Sequence, residues 1–303
     1  MTAANPEVIK ENPNIFSEIG RVIERLWGVE PKPVDENLED RVNKKLADER
    51  AKIRPSKEDI NMFSWVTGDN NPIHRIQKRA KKLGFEDTPL MGAHVAAYGE
   101  QFIEDVVENM RQYWGADIKI VGQSNKFRSP LYPGERVLWQ VRRFNQRDSS
   151  VELEVTGTVK DRQIITITSK LGAKYPQMPQ IGGPIFSERY LIEADHLDEF
   201  FNCVGGTNKG RVPHMLPAAF VPATLLNLLK EKTQTLEGAN MAMDFDFLNE
   251  ASPGKLQVDI YPPRKPLERQ GQFIYKFRAV VSQDTRPITY GEILSSAPIK
   301  IEF

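Results

Sequence analysis

The chain lacks the features that mark secreted or membrane-spanning proteins. Among its 303 residues there is one cysteine, Cys203, so no disulfide can form within the chain, which fits a reducing compartment. It has no run of about 18 apolar residues. Its first residues also lack the basic and apolar segments of a secretory signal. The sequence therefore predicts a protein without a membrane span, and we expect it in the cytoplasm.

An excess of charge of one sign is also missing. The 41 basic and 41 acidic residues give a formal net charge of +0 at pH 7. Nucleic-acid binders usually carry a basic excess, and anionic membranes attract basic surfaces, so neither partner is indicated. The 40% of hydrophobic residues and the length are enough for one large domain or two ordinary ones.

Residues 53–174 are predicted to form one α+β unit. Ser56 and Asp59 have the spacing of a helix start, and Gly68 is placed to end that helix. A longer helix is predicted to begin at Gly92. Four segments with strand-like patterns follow, namely IKIVGQSNKF, ERVLWQVRRF, SVELEVTGTV and RQIITITSKL. A long helix followed by an antiparallel sheet is an α+β arrangement.

The second half of the chain repeats this order of elements. FFNCVGGTN parallels FSWVTGDNN when Phe201 is aligned with Phe63, and FLNEASPGKLQVDI parallels FRSPLYPGERVLWQV when Phe247 is aligned with Phe127. The repeat length of about 120 residues is too long for a solenoid. We therefore predict a helical arm at 1–52, repeat 1 at 53–174, a linker rich in Pro, Gly and Gln at 175–184, and a degenerate repeat 2 at 185–303.

The most specific motif is GDNNPIH, between the two helices of repeat 1. Gly68, Asp69, Asn71, Pro72 and His74 match a Gly-Asp-x-Asn-Pro-aliphatic-His pattern. With its flanks, this run resembles the signature of the MaoC-like or hydratase-2 family. The segments PLMGAHVAAY and IKIVGQSNKFRSPLYPGERV extend the resemblance over most of repeat 1. The second half resembles the degenerate repeat of double-hotdog members. The implied fold is a double hotdog, in which each repeat wraps an antiparallel sheet around a long central helix.

The resemblance implies an (R)-specific enoyl-thioester hydratase, or 3-hydroxyacyl-thioester dehydratase, without a metal or redox cofactor. Adding water across a conjugated C=C needs a base for the water and an acid for the α-carbon. His74 can act near neutral pH, and Asp69 can serve as acid or orient the water. The backbone N–H of Gly92, at a helix start, can stabilise the thioester oxygen. We expect a larger residue at Gly92 to block the substrate while changing thermal stability much less.

Other polar residues give weaker signals. Arg75, Lys126 and Arg128 could bind the phosphates of CoA or the acidic face of an acyl carrier protein, although a solvated surface explains them equally well. We interpret His94 and Cys203 as structural. His214, near the start of the second long helix, is interpreted as non-catalytic.

The second repeat lacks the motif. In the alignment given above, Asp69 corresponds to Thr207 and His74 to Val212, and neither can replace its counterpart. We therefore predict one catalytic site per chain. Repeat 2 then takes the place of the second chain in single-hotdog relatives and can widen the cleft for a bulky acyl group. A homodimer of the whole chain stays open.

Two other functions stay open as well. The chain could be a non-catalytic acyl-thioester-binding protein, which an activity assay with enoyl-CoA substrates would reveal. It could also be a hotdog thioesterase, which would release a free thiol. No GxGxxG run in a strand–helix context is present, so a nicotinamide enzyme is not indicated. The choice between CoA and a carrier protein, the acyl-chain length and the place in fatty acid metabolism stay open.

Overall fold

A computed structural model describes residues 52–114, 117–147, 150–208, 210–233, 239–263, 265–269, 272–297 and 300–302. Apart from Lys52, the predicted N-terminal arm lies outside the described residues. The first half contains β1 (Lys52–Ile53), α1 (Lys57–Thr67), a 3₁₀ helix (Pro72–His74), α2 (Gln77–Lys82), α3 (Gly92–Trp114), β2 (Lys119–Phe127), β3 (Val137–Arg147), β4 (Ser150–Val159) and β5 (Arg162–Gly172).

In its described residues, the second half repeats this order without the 3₁₀ helix and α2, and it has one additional strand, β9. It contains β6 (Phe186–Ile192), α4 (Ala194–Val204), α5 (Met215–Thr233), β7 (Ala239–Phe247), β8 (Gly254–Tyr261), β9 (Leu267–Arg269), β10 (Gln272–Gln283) and β11 (Arg286–Ala297). Residues 175–184, between β5 and β6, form neither helix nor strand.

Helix α1 begins and ends where the sequence predicts. Ser56 Oγ accepts the N–H of Asp59 at 3.1 Å, and the Asp59 carboxylate accepts the N–H of Ser56 at 2.6 Å, which forms a capping box. At the other end Gly68 adopts φ 73°, in the left-handed region, and its N–H bonds to the carbonyl of Ser64 at 2.9 Å. The residues that follow Gly68 therefore leave the helix abruptly.

The described strands form one 11-stranded antiparallel sheet rather than two separate sheets. Its order is β1-β3-β4-β5-β2-β7-β11-β10-β8-β6, with β9 paired to β10. The order is mirrored about the central β2–β7 pair, in which Gly122 lies opposite Asp246 and Lys126 opposite Ala242. The two halves therefore share a continuous sheet, and the predicted double-hotdog arrangement is confirmed.

The two long helices pack against this sheet and against each other. Helix α3 contacts β2, β4 and β5, whereas α5 contacts β6, β8, β10 and β11. Nearly every described residue of α5 from Met215 to Leu229 is buried, because the helix packs on the sheet, on α3 and on α1. A Cβ at Gly99 of α3 would overlap Ile167, so glycine lets this helix approach the sheet closely. Among the described residues, no helix is both long and apolar enough to cross a membrane.

Candidate active site

The GDNNPIH motif forms a tight turn anchored to the end of α1. Ser64 Oγ donates to the carbonyl of Asp69 over 2.6 Å, and the Asp69 N–H points to Thr67 Oγ1 at 3.4 Å. The Asp69 carboxylate accepts the N–H of Asn71 at 3.1 Å. These bonds hold both the backbone and the carboxylate of Asp69, whose residue surface is only 7% exposed.

His74 ends the short 3₁₀ helix that begins at Pro72. Asn71 caps this helix, because its side-chain oxygen accepts the N–H of Ile73 at 3.2 Å. The Nδ1 atom of His74 lies 2.8 Å from the carbonyl oxygen of Pro89. A carbonyl can only accept, so we assign the hydrogen to Nδ1, which leaves Nε2 with a free lone pair in the neutral ring.

The surroundings of His74 favour that neutral form. Burial lowers the pKa of His74 below 6.5, while the charge of Asp69 and the carbonyl of Pro89 act in the opposite direction. A buried neutral imidazole with a free ring nitrogen, next to a carboxylate, can accept a proton from a bound water.

One cavity of about 580 Å³ connects the motif with the start of α3. Its lining includes Asp69, His74 and Gly92, so three of the predicted site residues face the same space. Lys126 and Arg128 also line it, and both side chains are exposed. The volume lies within the range of small-molecule sites.

Gly92 is the first residue of α3. The first N–H groups of a helix have no partner within the helix, so they can bind an anion or a developing negative charge. A Cβ at Gly92 would lie 2.9 Å from Cζ and 3.0 Å from Cε2 of Phe127. A larger residue therefore requires the Phe127 ring to shift, and its effect on thermal stability stays a prediction.

Arg75 is separated from the cavity by its own contacts. Its guanidinium donates to Asn70 at 3.1 Å and reaches Asn61 at 3.5 Å. It lines a shallow depression on another side of His74, together with Lys57, and is not among the residues that line the main cavity. Of the three predicted phosphate contacts, the structure brings only Lys126 and Arg128 to the cavity.

His94 and Cys203 are packed inside the protein. His94 is fully buried, stacks between Phe63 (4.3 Å) and Tyr98 (4.8 Å), and donates from Nε2 to the Cys203 carbonyl at 2.8 Å. Burial lowers the pKa of His94 to about 4, so its ring is neutral at physiological pH. Neither residue lines the cavity, in agreement with their interpretation as structural.

An apolar wall of the cavity comes from the second repeat, and the sequence analysis did not identify its residues. Helix α5 contributes a set of apolar side chains spaced at helical intervals: Pro222, Leu225, Leu226 and Leu229. The continuous apolar run of α5 predicts a buried helix, but it carries no signal for which of its faces meets the cavity.

A second cleft of about 310 Å³ lies in the equivalent position beside repeat 2. Helix α3 lines it with Ala97, Glu100, Gln101 and Glu104. The residue numbers of these four differ by one constant offset from those of four α5 residues that line the first cavity, namely Pro222, Leu225, Leu226 and Leu229. The wall that is apolar in the first cavity is therefore polar and acidic in the second.

In the second cleft the N–H at the helix start is already bonded, because Met215, the first residue of α5, donates to both carboxylate oxygens of Glu100 at 3.2 and 3.1 Å. At the same offset Gly92 corresponds to Pro217, which has no N–H. His214 is held by other groups there: its Nδ1 lies 3.5 Å from Glu100, and its Nε2 lies 3.3 Å from the hydroxyl of Tyr175. This polar cluster is consistent with the non-catalytic interpretation of His214.

The register of the two repeats differs by one residue from the sequence alignment. Helices α1 and α4 both end at a left-handed glycine, Gly68 and Gly205, which pairs Phe63 with Phe200 instead of Phe201. Asp69 then has no acidic counterpart, and the much shorter connection before α5 leaves no equivalent of the 3₁₀ helix that carries His74. In the described part of the chain, no three His, Cys, Asp or Glu residues are grouped to hold a metal ion.

Comparisons with known proteins agree with this fold. Residues 32–163 match the family model described as MaoC like domain. A mitochondrial 3-hydroxyacyl-[acyl-carrier-protein] dehydratase of Arabidopsis thaliana is 28% identical over 128 residues, which cover 42% of this chain and 66% of that relative. The chain thus spans just under two thirds of this relative.

Solved structures share the fold at low identity. A MaoC domain protein dehydratase from Chloroflexus aurantiacus superposes with a TM-score of 0.62 at 11% identity, over 82% of this chain and 93% of that one. A Mycobacterium tuberculosis protein described as having a double hotdog fold gives a TM-score of 0.57 at 10% identity, over 82% and 93% of the two chains. The chain therefore has the double-hotdog fold, and its residues 32–163 match a MaoC-like domain.

Proposed function

We propose that this protein is an (R)-specific enoyl-thioester hydratase that also runs in reverse as a 3-hydroxyacyl-thioester dehydratase. The observation that carries the proposal is the common cavity of Asp69, His74 and the Gly92 start of α3. The similar Arabidopsis protein, described as a 3-hydroxyacyl-carrier-protein dehydratase, supports the same class of reaction. The substrate class is an acyl thioester of CoA or of a carrier protein.

In the proposed reaction, one water adds to one face of the double bond. His74 Nε2 takes a proton from the water, and the hydroxide oxygen bonds to the β-carbon. The electron pair of the C=C shifts toward the thioester carbonyl as an enolate forms. The Asp69–His74 pair then returns one proton to the α-carbon, so that the pair regains its starting protonation state.

The helix start supplies the stabilisation that the enolate needs. Negative charge builds on the thioester oxygen, and the N–H of Gly92 donates to it at the positive end of the α3 dipole. Such a donor is most effective where water is excluded. The acyl chain packs on the apolar wall of α5, and Lys126 and Arg128 bind the phosphate of the carrier group.

An assay with trans-2-enoyl thioesters of increasing chain length tests this function. We expect hydration of crotonyl-CoA or a longer homologue to the (R)-3-hydroxyacyl product, with the thioester intact. The same acyl chain on CoA, on a carrier protein and on N-acetylcysteamine shows which carrier contributes binding. Release of a free thiol would identify a thioesterase instead, and binding without turnover across the series would identify a non-catalytic protein.

The lowered pKa of His74 predicts the pH dependence of activity. Only the neutral ring of His74 can accept the proton of water. Above pH 6.5 the ring is neutral, so titration of His74 should not change kcat/KM there. The value of kcat/KM should fall as the pH drops through the lowered pKa of His74, giving an acid limb with a midpoint below 6.5. A pH–rate profile of hydration measures this midpoint, and a value above 6.5 would contradict the proposed role.

The free energy of unfolding should also decrease as the pH is lowered. The ordinary pKa of 6.5 applies to the unfolded chain, so between the two pKa values the unfolded state binds more protons than the folded state. Stability is therefore fully present above pH 6.5 and is lost on acidification. His94 adds to this loss because its folded pKa is also lowered, to about 4.

A further inference from the structure

Tyr190 lies on the edge strand β6 of the second repeat, yet it packs on the turn that carries Asp69 in the first. A Cβ at Gly68 would stand 3.6 Å from Tyr190 Cε1, an ordinary van der Waals distance, so the phenol ring lies directly over this glycine. Burial is the main cause that raises the pKa of Tyr190, and the nearby charge of Asp69 adds to it. Tyr190 is not among the residues that line the cavity.

The other side of Tyr190 is bound to α5. Its hydroxyl donates to Glu188 at 2.5 Å and lies 2.9 Å from Oγ1 of Thr224, a fully buried residue of α5. Asn227 of the same helix donates to both carboxylate oxygens of Glu188, at 2.9 and 3.1 Å. The ring of Tyr190 also packs on Phe220, with ring centroids 4.6 Å apart. One side chain thus contacts the turn of repeat 1 and the helix of repeat 2.

These contacts matter because α5 also forms the apolar wall of the cavity. Pro222 and Leu225, which line the cavity, flank Thr224 in sequence. Tyr190 therefore stands between the turn that holds Asp69 and the helix that shapes the substrate cavity. A shift of the turn relative to α5 would change the position of the carboxylate relative to a bound thioester, and small misplacements of reacting groups lower rates strongly.

We propose that Tyr190 is a positioning residue, whose ring and hydroxyl hold the turn of Asp69 at a fixed distance from α5. This inference rests on the proposed role of Asp69 in hydration. Tyr190 does not line the cavity, so it acts through Gly68 and Asp69. The second repeat, which has no catalytic pair of its own, contributes this support to the site of the first.

Kinetics of Tyr190→Ala and Tyr190→Phe test the proposal, with Phe186→Ala as the matched control. Phe186 is an aromatic residue on the same face of β6 and packs on the core, but it is not in contact with a Cβ position at Gly68. We expect Tyr190→Ala to lower kcat for crotonyl-CoA hydration about 10-fold or more, with a smaller change in KM. Tyr190→Phe, which keeps the ring, should recover a large part of that loss, and Phe186→Ala should stay close to the wild type.

The pH–rate profile of hydration provides a second test, because a residue that only stabilises the fold would leave the pKa of His74 unchanged. The charge of Asp69 raises the pKa of His74. If Asp69 moves away from His74 in Tyr190→Ala, the acid limb of the pH–rate profile should therefore shift to lower pH. A Tyr190→Ala protein that folds and keeps both kcat and the acid limb would overturn the proposal. So would a loss of the same size in Phe186→Ala.

Failure of the positioning role of Tyr190 can be distinguished from failure of the proposed function. If the wild type hydrates no enoyl thioester, that function is wrong, and the position of the turn is then read from the backbone amide NMR signals of Gly68, Asp69 and Asn71. These signals should shift in Tyr190→Ala and stay in place in Phe186→Ala. Unshifted signals in a folded Tyr190→Ala variant would overturn the positioning role independently of activity.

Discussion

His74→Ala and Asp69→Asn should each lower kcat for hydration about 100-fold or more, because each removes a group of the proposed proton-transfer pair. His74→Ala removes the imidazole that accepts the proton of the water. Asp69→Asn keeps the shape of the side chain and removes the charge. The backbone carbonyl of residue 69 can still accept from Ser64, and its N–H can still donate to Thr67. Steady-state hydration of crotonyl-CoA, together with thermal melting, measures both effects.

His214→Ala is the control for His74→Ala, since His214 stands near the start of α5 in the repeat without the motif. The chemical step should be largely retained in this variant, because His214 lies beside Glu100 and Tyr175 and the N–H at the start of α5 is already bonded to Glu100. A folded His214→Ala protein that loses as much activity as His74→Ala would move the reaction to the second cleft. Near-normal hydration in His74→Ala or in Asp69→Asn would remove the role assigned to that residue.

Gly92→Pro should lower kcat about 100-fold relative to Gly92→Ala, the loss expected when one oxyanion donor is removed. Both variants add a Cβ that meets the ring of Phe127, so both share the packing cost. Only proline removes the N–H of residue 92, and proline is well tolerated at the first position of a helix. The second repeat also carries a proline in the first turn of its long helix, Pro217, the third residue of α5.

The comparison between these two variants isolates the hydrogen bond from the volume of the side chain. Thermal melting should show similar losses of stability for Gly92→Ala and Gly92→Pro, whereas hydration kinetics should separate them. Equal kcat values in the two variants would show that the N–H of Gly92 does not stabilise the thioester oxygen, and that glycine is needed there for packing against Phe127 alone.

The sequence by itself was sufficient to predict the elements of the fold that depend on local chemistry. Ser56 and Asp59 predict the start of α1, and Gly68 predicts its end, because capping bonds and left-handed glycines act over a few residues. The contiguous GDNNPIH run predicts a turn that holds Asp69 close to His74 for the same reason. The repeated order of helices and strands predicts two α+β units, and the resemblance to double-hotdog proteins implies how they are arranged.

Three strands escaped the sequence analysis: β1, β6 and β9. Strand β1 has two residues and β9 three, too few for a pattern of alternation to be read. Strand β6 does alternate, but its inner face carries Glu188 between Phe186 and Tyr190. A charged residue on that face hides the apolar period, and only its bonds to Tyr190 and to Asn227 of α5 explain its presence there.

Only the tertiary structure decided which distant residues meet. Arg75 is adjacent to His74 in sequence but bonds to Asn70 and Asn61 away from the cavity, whereas Lys126 near the end of β2 and Arg128 just after it line the cavity. The apolar wall and Tyr190 come from the second repeat, more than 100 residues after the motif, because the β2–β7 pair joins both halves into one sheet and brings α5 beside the turn. Local patterns determine how each segment folds. Contacts between the two halves depend on how their surfaces pack, which no short stretch of sequence encodes.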